Sequence, residues 1–501
     1  MTYLIIHVPL QLTIKHLSSV GINCPTLYNL IFWKFNLDNA TIIRLINYKL
    51  RGAYMQKHEQ WSSKIGFILA AAGSAIGLGA IWKFPYMTGT NGGAAFFLLF
   101  IVFTLFIGAP ILIAEFVIGR NAQKDAVHAY KKIAPNSKWS LLGWMGVIAA
   151  GLLLSFYSVV GGWILSYLGR SLVGKITGLT SGNYESLFNT IIENPIESVV
   201  SQVLFMLLTI WVVQGGIKKG IERASKYMMP ALFLIFIVLV VRSLTLDGAM
   251  EGVTFFLQPD FSKLTGESIL LALGQAFFAL SVGISVMVTY ASYLPKNENL
   301  MKSGFSVVGL NILISLLAGL VIFPAVFALG YDPASGPGLV FVILPAVFNE
   351  IAFGGFFITI FMVLLLFATL TSAFSILEII VAVISKENPQ KRKSSAWLAG
   401  IITFIVGIPS ALSYGVLKDV HIAGKTFFDL ADYIVSNLAL PIGSLFISIF
   451  VGYVMNKNEV REEMLSGSKL KSWMFNTWYI IIRYLCPIAI LVIFLNSIGI
   501  I

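Results

Sequence analysis

The sequence predicts an all-α polytopic membrane protein of eleven transmembrane helices, and three observations predict it. Of the 501 residues 57% are hydrophobic and only 11% charged, with a mean hydropathy of +0.86. A soluble domain carries about 25% charged residues, so most of the usual solvating surface is missing. Runs of about 20 apolar residues recur along the chain, each long enough to cross ~30 Å of hydrocarbon as a helix. The third observation is that lysine and arginine crowd into alternate loops.

The spans fall at about 65–89, 94–118, 141–169, 198–214, 226–244, 267–293, 303–330, 354–384, 395–414, 427–454 and 476–500. With the N-terminus inside, 26 of the 34 Lys and Arg are cytoplasmic: seven before the first span, then five, four, two, four and four in successive loops. Lys83, Arg170, Lys175, Arg242, Lys263, Lys418, Lys425 and Arg483 lie outside or within spans. That asymmetry predicts a multi-pass protein of a bacterial-type plasma membrane, N-terminus cytoplasmic and C-terminus outside. The net charge of +11 therefore marks topology rather than a nucleic-acid partner. Two cysteines, Cys24 and Cys486, exclude a disulfide framework and a cysteine zinc site.

Residues 1–54 stand apart. They mix apolar pieces (Leu4 to Leu10, Tyr28 to Trp33) with Lys15, Lys34, Arg44, Lys49 and Arg51, and no piece is long enough to span. No cleavage-site pattern follows an apolar core, which argues against a signal peptide. Met55-Gln-Lys-His-Glu-Gln reads as a natural polar start, so translation is expected to begin at Met55; the other reading is a cytoplasmic tail.

Two spans are interrupted. The first contains Gly73-Ser-Ala-Ile-Gly77-Leu-Gly79-Ala-Ile-Trp-Lys-Phe-Pro85, and the sixth contains Leu280-Ser-Val-Gly283-Ile-Ser285. First and sixth are matching places in a five-plus-five inverted repeat, here 55–244 and 267–454, with 476–500 as an added eleventh helix. Corresponding broken helices point to a transporter site at the bilayer midplane. The apolar loop Gly338 to Gly355, with central Pro345, is too short to span and reads as a re-entrant or capping hairpin on the outer face.

A helix unwound in a membrane exposes backbone groups that need partners. Freed amides near Leu78 and Gly79 suit a carboxylate; freed carbonyls around Ala75, Phe278 and Ser281 suit an ammonium. An amino acid with a co-transported cation supplies both charges. In the eighth span, Ala368-Thr-Leu-Thr371-Ser372 puts one carbonyl and two hydroxyls on one helical patch. Neutral oxygens suit a hard monovalent cation, and no clustered carboxylate favours Ca²⁺ or Mg²⁺; the alternative is a helix-packing patch. All five histidines (7, 16, 58, 128, 421) lie outside the spans and no acids pair at one depth, which excludes an intramembrane enzyme.

Trp61-Ser-Ser-Lys-Ile-Gly66, the Gly73 to Pro85 string, Asn91-Gly-Gly93 and Pro110-Ile-Leu-Ile-Ala-Glu115-Phe-Val-Ile-Gly119-Arg120 together resemble the neurotransmitter:sodium symporter family. The match is to its bacterial eleven-span branch, with the leucine-transporter fold. It continues through Phe156-Tyr157, Gly274-Gln275-Ala-Phe-Phe278, Thr289-Tyr-Ala-Ser-Tyr293, Asn311 and Thr371-Ser372, over residues 58–500. The resemblance implies a second sodium site on Gly73, Ile76, Ala368, Thr371 and Ser372. It implies a substrate pocket of Ala75, Leu78, Gly79, Leu153, Tyr157, Phe278, Ser281, Ile284, Ser372 and Ile376, with Tyr157 on the carboxylate and Phe278 as lid. Gly77 stands where monoamine transporters carry an aspartate, so the substrate brings its own carboxylate.

Elsewhere the chain departs from the family pattern. At the first sodium site Ala80 replaces an asparagine and Ala279 a threonine or serine, leaving Asn311 with the carbonyls of Ala75 and Ala279. Losing two oxygens from a dry site weakens binding, so coupling is expected through the second site alone, or through a first site completed by water. Chloride is not clearly implied: Phe100 and Ala279 lack the hydroxyls of chloride-dependent members, Gln275, Asn311 and Ser315 are retained, and residues 303–330 hold no acid in place of the anion. Lys83 replaces an outer-gate arginine, without the bidentate fork; Asp432 is its expected partner and Asp429 the rival. For the inner gate His58 replaces an arginine, with Glu387 as approximate partner. Glu115 and Glu378 are intramembrane acids, where a charge costs ~2.5–3.5 kcal/mol or more; they read as structural, with proton coupling as the alternative.

The expectation is a secondary symporter that imports an amino acid with Na⁺ by alternating access. Leu153, Ile284 and Ile376 favour an apolar or aromatic side chain. Proton coupling and a non-transporting amino-acid sensor are the alternatives. The expected partners are the amino acid and the lipid bilayer; the oligomeric state is left open.

Overall fold

The computed structural model describes residues 59–176, 178–179, 183–334, 338–386, 388–468 and 471–497. The expected leader 1–54 with Cys24, His7 and His16, the start at Met55, and the inner-gate residues His58 and Glu387 lie outside the described residues. Residues from Glu59 onward form one unit.

In chain order the principal helices are α1 (Lys64–Ala75), α2 (Gly79–Thr90), α3 (Ala94–Ala122), α4 (Ser140–Leu172), α5 (Pro195–Val213), α6 (Ile217–Leu244) and α7 (Gly266–Leu280). They continue with α8 (Val286–Ser292), α9 (Leu300–Ala328), α10 (Leu339–Asn349), α11 (Gly354–Ser385), α12 (Pro389–Ala411), α13 (Phe427–Val454) and α14 (Ser472–Asn496). Polar caps start many of them. Ser63 opens α1 by accepting from the Gly66 N–H at 3.0 Å, Thr265 opens α7, Asn299 opens α9, and Asn194-Pro195 and Asn388-Pro389 open α5 and α12.

Among the described residues nine helices are long and apolar enough to cross a membrane, and α1 with α2 forms a tenth crossing bent by 51°. The segment expected as an interrupted sixth span, 267–293, is two helices. It is α7, of 15 residues, and α8, of 7, because Ser281, Gly283 and Ser285 have φ of +52°, +100° and +59°. Three left-handed residues in five cannot continue a right-handed helix, and neither half reaches spanning length alone. The segment expected as a capping hairpin contains the short helix α10, held by the Tyr167 hydroxyl on the Phe341 carbonyl at 2.8 Å and by Phe341 against Trp82 and Trp163.

The centre of the bundle is α4 and α11, whose apolar stretches are 78% and 83% buried, whereas that of α6 is 28% buried and faces outward. Small residues let backbones meet at the centre. Gly161 and Gly162 of α4 lie against Phe205 and Ser201 of α5, and Gly407 of α12 lies against the Ser155 carbonyl. The break between α7 and α8 is seated in the same way: the Ile284 carbonyl packs on Gly146, and the Val288 carbonyl on Gly119.

Glu115 of α3, fully buried, caps α8. Its Oε1 accepts from the Gly283 N–H at 2.7 Å and its Oε2 from Met287 and Val288 at 3.0 and 3.3 Å. One carboxylate thus supplies the acceptors that the left-handed break removed, at the positive end of a helix. Glu115→Ala strands three donors in a dry interior and is expected to lower stability by about 3–6 kcal/mol. Glu115→Gln keeps one acceptor oxygen and should lose about half as much. Thermal unfolding of both variants in detergent checks the order, and equal losses would contradict the capping role.

Candidate substrate and cation site

The two breaks face each other, and side chains satisfy what they expose. At the first, Ile76 leaves the helical region (φ −92°, ψ 63°) and Gly77 and Leu78 separate α1 from α2. The Leu78 N–H donates to the Tyr157 hydroxyl at 3.2 Å. The Ser74 carbonyl accepts from Ser372 Oγ at 2.5 Å and Ser281 Oγ at 3.2 Å. The Gly79 carbonyl accepts from Gln275 Nε2 at 2.7 Å, and the Ala75 and Ala279 carbonyls accept from Asn311 Nδ2 at 3.1 and 3.0 Å.

Around these groups lies an enclosed cavity lined by Ser74, Ala75, Gly77, Leu78, Gly79, Leu153, Tyr157, Phe278, Ser281, Ile284, Ser372, Ile376 and Leu440. All ten residues expected to bind substrate are therefore gathered into one cavity. Ser74, Gly77 and Leu440 complete its wall and were not in that set. Ser74 carried a weak signal, as a hydroxyl inside a glycine run. Leu440 carried none, being one of many leucines in α13. Gly77 is glycine for a steric reason: a Cβ there would overlap both Ser372 Oγ and the Tyr157 hydroxyl. The cavity is contracted to about 20 Å³, room for about one water.

The expected second sodium ligands come from α1, the first break and α11. Gly73 packs on Thr371, where an added Cβ would lie 2.9 Å from Thr371 Cβ and 3.3 Å from its Oγ1. Thr371 Oγ1 donates back to the Phe367 and Ala368 carbonyls at 2.9 and 3.0 Å, and Ser372 reaches across to α1. Ile76 and Ala368 are buried in the same core. No acid joins the patch, and among the described residues no cluster of His, Cys, Asp or Glu could hold a metal ion.

Above the cavity, Lys83 Nζ lies 3.9 Å from Asp432 and 4.4 Å from the centre of the Phe278 ring. The rival Asp429 is engaged elsewhere, with Thr426 Oγ1 at 2.8 Å and the Tyr414 hydroxyl at 3.3 Å. Lys83, Asp432 and Phe278 thus form one half-exposed lid over Tyr157 and the break.

Residues 58–190 and 189–500 match the profile of the sodium:neurotransmitter symporter family. The chain belongs to this family. An uncharacterized sodium-dependent transporter of Bacillus subtilis, YhdH, is 57% identical over 445 residues, covering 89% of this chain and 99% of that protein. A second from Haemophilus influenzae is 38% identical over 88% of this chain and 98% of its own length. Among solved structures, MhsT in complex with L-phenylalanine superposes with a TM-score of 0.82 at 45% identity, over 88% of this chain and 99% of that one. The protein is a membrane transporter of a sodium-dependent family and not an enzyme.

At the opposite end of this symporter from Lys83, the structure shows pairs that sequence reading missed. Glu59 accepts from the Ile217 N–H at 3.0 Å and lies 3.4 Å from Arg392. Gly216, at φ +85°, leaves room for it, since a Cβ there would be 2.5 Å from Glu59 Oε1. Arg392 in turn pairs with Glu378, which also accepts from the Tyr293 hydroxyl at 2.7 Å. Trp61 closes the same end, its Nε1 on the Tyr290 carbonyl at 2.9 Å and its N–H on the Tyr293 carbonyl at 3.3 Å. The two intramembrane acids therefore have structural partners: Glu115 three N–H groups, Glu378 an arginine and a tyrosine. Removing one member of a buried pair leaves an unpaired charge, so Arg392→Met is expected to cost about 3–5 kcal/mol. Arg392→Met with Glu378→Leu should recover most of that loss, as measured by thermal unfolding in detergent. A double variant no more stable than the single would contradict the pairing.

Proposed function

We propose that this symporter imports an amino acid with an apolar or aromatic side chain together with Na⁺, by alternating access around the two helix breaks. The observation that carries the reading is the convergence of all ten expected pocket residues on one cavity where both broken helices meet. Gly77 leaves no anion in the wall to pair with a bare amine, so the substrate carboxylate does its own work. Its natural place is beside the Leu78 N–H and the Tyr157 hydroxyl, with the ammonium toward the Ser74 and Phe278 carbonyls and the side chain among Leu153, Ile284, Ile376 and Leu440. MhsT, 45% identical, is known in complex with L-phenylalanine, which supports an aromatic or large aliphatic substrate here.

The same reading has eleven crossings in two inverted repeats, with α7 and α8 together as the sixth, the N-terminus inside and the C-terminus outside. It is supported by the placement of 26 of the 34 Lys and Arg in the loops on one side. The lid of Lys83, Asp432 and Phe278 is the outer gate. Trp61 and the Glu59–Arg392–Glu378–Tyr293 chain are the inner one, in place of a contact built on His58.

Sodium is a cosubstrate in this reading, and one ion per cycle is proposed. The Gly73, Ile76 and Ala368 carbonyls with the Thr371 and Ser372 hydroxyls supply five neutral oxygens. At the first site, by contrast, Ala80 and Ala279 supply no side-chain oxygen, which leaves the Asn311 amide oxygen as its one side-chain ligand beside the carbonyls of Ala75 and Ala279. Chloride is not proposed as a cosubstrate. Asn311 spends both amide N–H groups on carbonyls and Gln275 spends one, leaving the Ser315 hydroxyl and a single Gln275 N–H, with no hydroxyl at Phe100 or Ala279.

Uptake into proteoliposomes is expected to follow external Na⁺ with a Hill coefficient near one and to persist when chloride is replaced by gluconate. Thr371→Ala, which removes one oxygen of five, should raise the half-saturating Na⁺ about tenfold. A coefficient near two would restore the first site. For the substrate, a thermal-shift panel of the twenty amino acids is expected to show stabilisation by phenylalanine, leucine or their neighbours in size, and only with Na⁺ present. Stabilisation without transport or counterflow would instead mark a sensor, and uptake driven by a pH gradient alone would mark proton coupling.

A further inference from the structure

A groove of about 380 Å³ opens on the outside of the bundle, between the start of α4 and the middle of α13. Trp139, Leu141, Leu142, Met145 and Phe446 line it, with Lys138 at its mouth. Leu141 is 62% and Phe446 41% exposed, so the groove faces the lipid side of the bundle. Lys138 is exposed, and its ammonium has no hydrogen-bond or ion-pair partner among the described residues. It belongs to the basic loop that also holds Lys124, Lys131 and Lys132. A lysine and a tryptophan at the end of a spanning helix mark the depth of the lipid headgroups.

The groove is connected to the break between α7 and α8 through one or two intervening residues. Two independent contacts join them. Trp139 meets the Phe450 ring at 5.2 Å, Phe450 meets Tyr130 at 5.0 Å, and the Tyr130 hydroxyl bonds Ser285 Oγ at 3.0 Å. Ser285 is the left-handed residue that starts α8. Separately, Met145 Cε lies 3.0 Å from where a Gly443 Cβ would be, and Gly443 packs on the Gly283 carbonyl. Gly283 and Ser285 flank Ile284, which lines the substrate cavity. Groove and cavity are therefore linked through one five-residue hinge, 281–285, which lines the cavity directly and reaches the groove through Tyr130, Phe450 and Gly443.

We propose that the groove binds an acyl chain of an anionic phospholipid, its phosphate on Lys138, and that occupancy holds the hinge at 281–285 in a fixed conformation. The apolar lining suits an acyl chain, and the unpartnered ammonium at its mouth suits the negative charge that such a chain carries at headgroup depth. A filled groove restrains Trp139 and Met145, and through them the two residues on either side of Ile284. The functional weight of the hinge rests on the substrate-site reading; the lipid site does not, and its readouts require no substrate.

The full chain is reconstituted in phosphatidylcholine vesicles containing either phosphatidylglycerol or phosphatidylcholine brominated in the acyl chains, and the Trp139 signal is isolated by subtracting Trp139→Phe. Brominated phosphatidylglycerol is expected to quench Trp139 at about fivefold lower mole fraction than the choline lipid. Lys138→Gln should abolish that preference and Lys138→Arg should keep it. In the same vesicles, amide exchange over 281–288 is expected to slow about fivefold with phosphatidylglycerol, and not in Lys138→Gln. Equal quenching by both lipids, or a preference that survives Lys138→Gln, overturns the headgroup assignment. Unchanged exchange overturns the link to the hinge. Shielding of Trp139 that grows with protein concentration gives the groove to a second copy of the chain and overturns lipid occupancy.

Discussion

Backbone groups released inside hydrocarbon must find partners within the protein, and that requirement organises this symporter. Each unsatisfied group in a bilayer costs several kcal/mol. The chain is broken between α1 and α2 and between α7 and α8, and the released groups are met one by one: Glu115 on the N–H groups of the second break, Tyr157 on the Leu78 N–H, and Ser372, Gln275 and Asn311 on carbonyls at the first. These partners come from α3, α4, α11, α7 and α9. The breaks therefore fix how α3, α4, α9 and α11 are oriented around them, and α4 and α11, the most buried, each carry a partner for the first break.

The groups that stabilise the breaks are also those a cargo would use. Tyr157 and Leu78 are bonded to each other across a cavity with room for about one water, so a cargo taken up there would enter by displacing contacts rather than by filling a ready hole. The exchange is close to neutral: a carboxylate replaces the contact between N–H and hydroxyl with charge-assisted bonds to both. Asn311 illustrates the limit of this economy. Its amide nitrogen bridges one carbonyl from each break, tying α1 to α7. The nitrogen is taken up in this way, and only the buried amide oxygen of Asn311 is left without a partner among the described residues.

Much of this was legible in the residues. The glycines at 73, 77 and 79, and Ser281 to Ser285, locate both breaks, because a membrane helix with such a string has no reason to stay wound. The hydroxyls at 371 and 372 follow from helical spacing. What was hidden was hidden by distance along the chain. Nothing local to Glu59 says that Arg392 and the Ile217 N–H will receive it, and Glu378 looked solitary only because its arginine lies in the next helix. The break expected in the sixth span falls where Ser281, Gly283 and Ser285 take positive φ angles, although hydropathy sums straight through 281–285. Leu440 could not be singled out at all, since an apolar wall residue has no distinguishing chemistry until its neighbours are known.

The basic residues that encode orientation have a second use at the same end of the molecule. Arg120 bonds Glu463 and the Glu298 carbonyl, Lys64 pairs with Glu298, Lys226 with Glu222, and Arg392 with Glu378 and Glu59. Glu222 also accepts from Ser62 at the mouth of α1. The acids that neutralise the loops are thus the ones that tie the start of the first helix to the loops and helix ends around it. Surface pairs of this kind contribute little singly, but Arg120 and Arg392 are buried, and a buried pair cannot be parted without stranding a charge. Opening this end must therefore move whole pairs together or bring water to them. Either way, the buried pairs set how hard this end is to part.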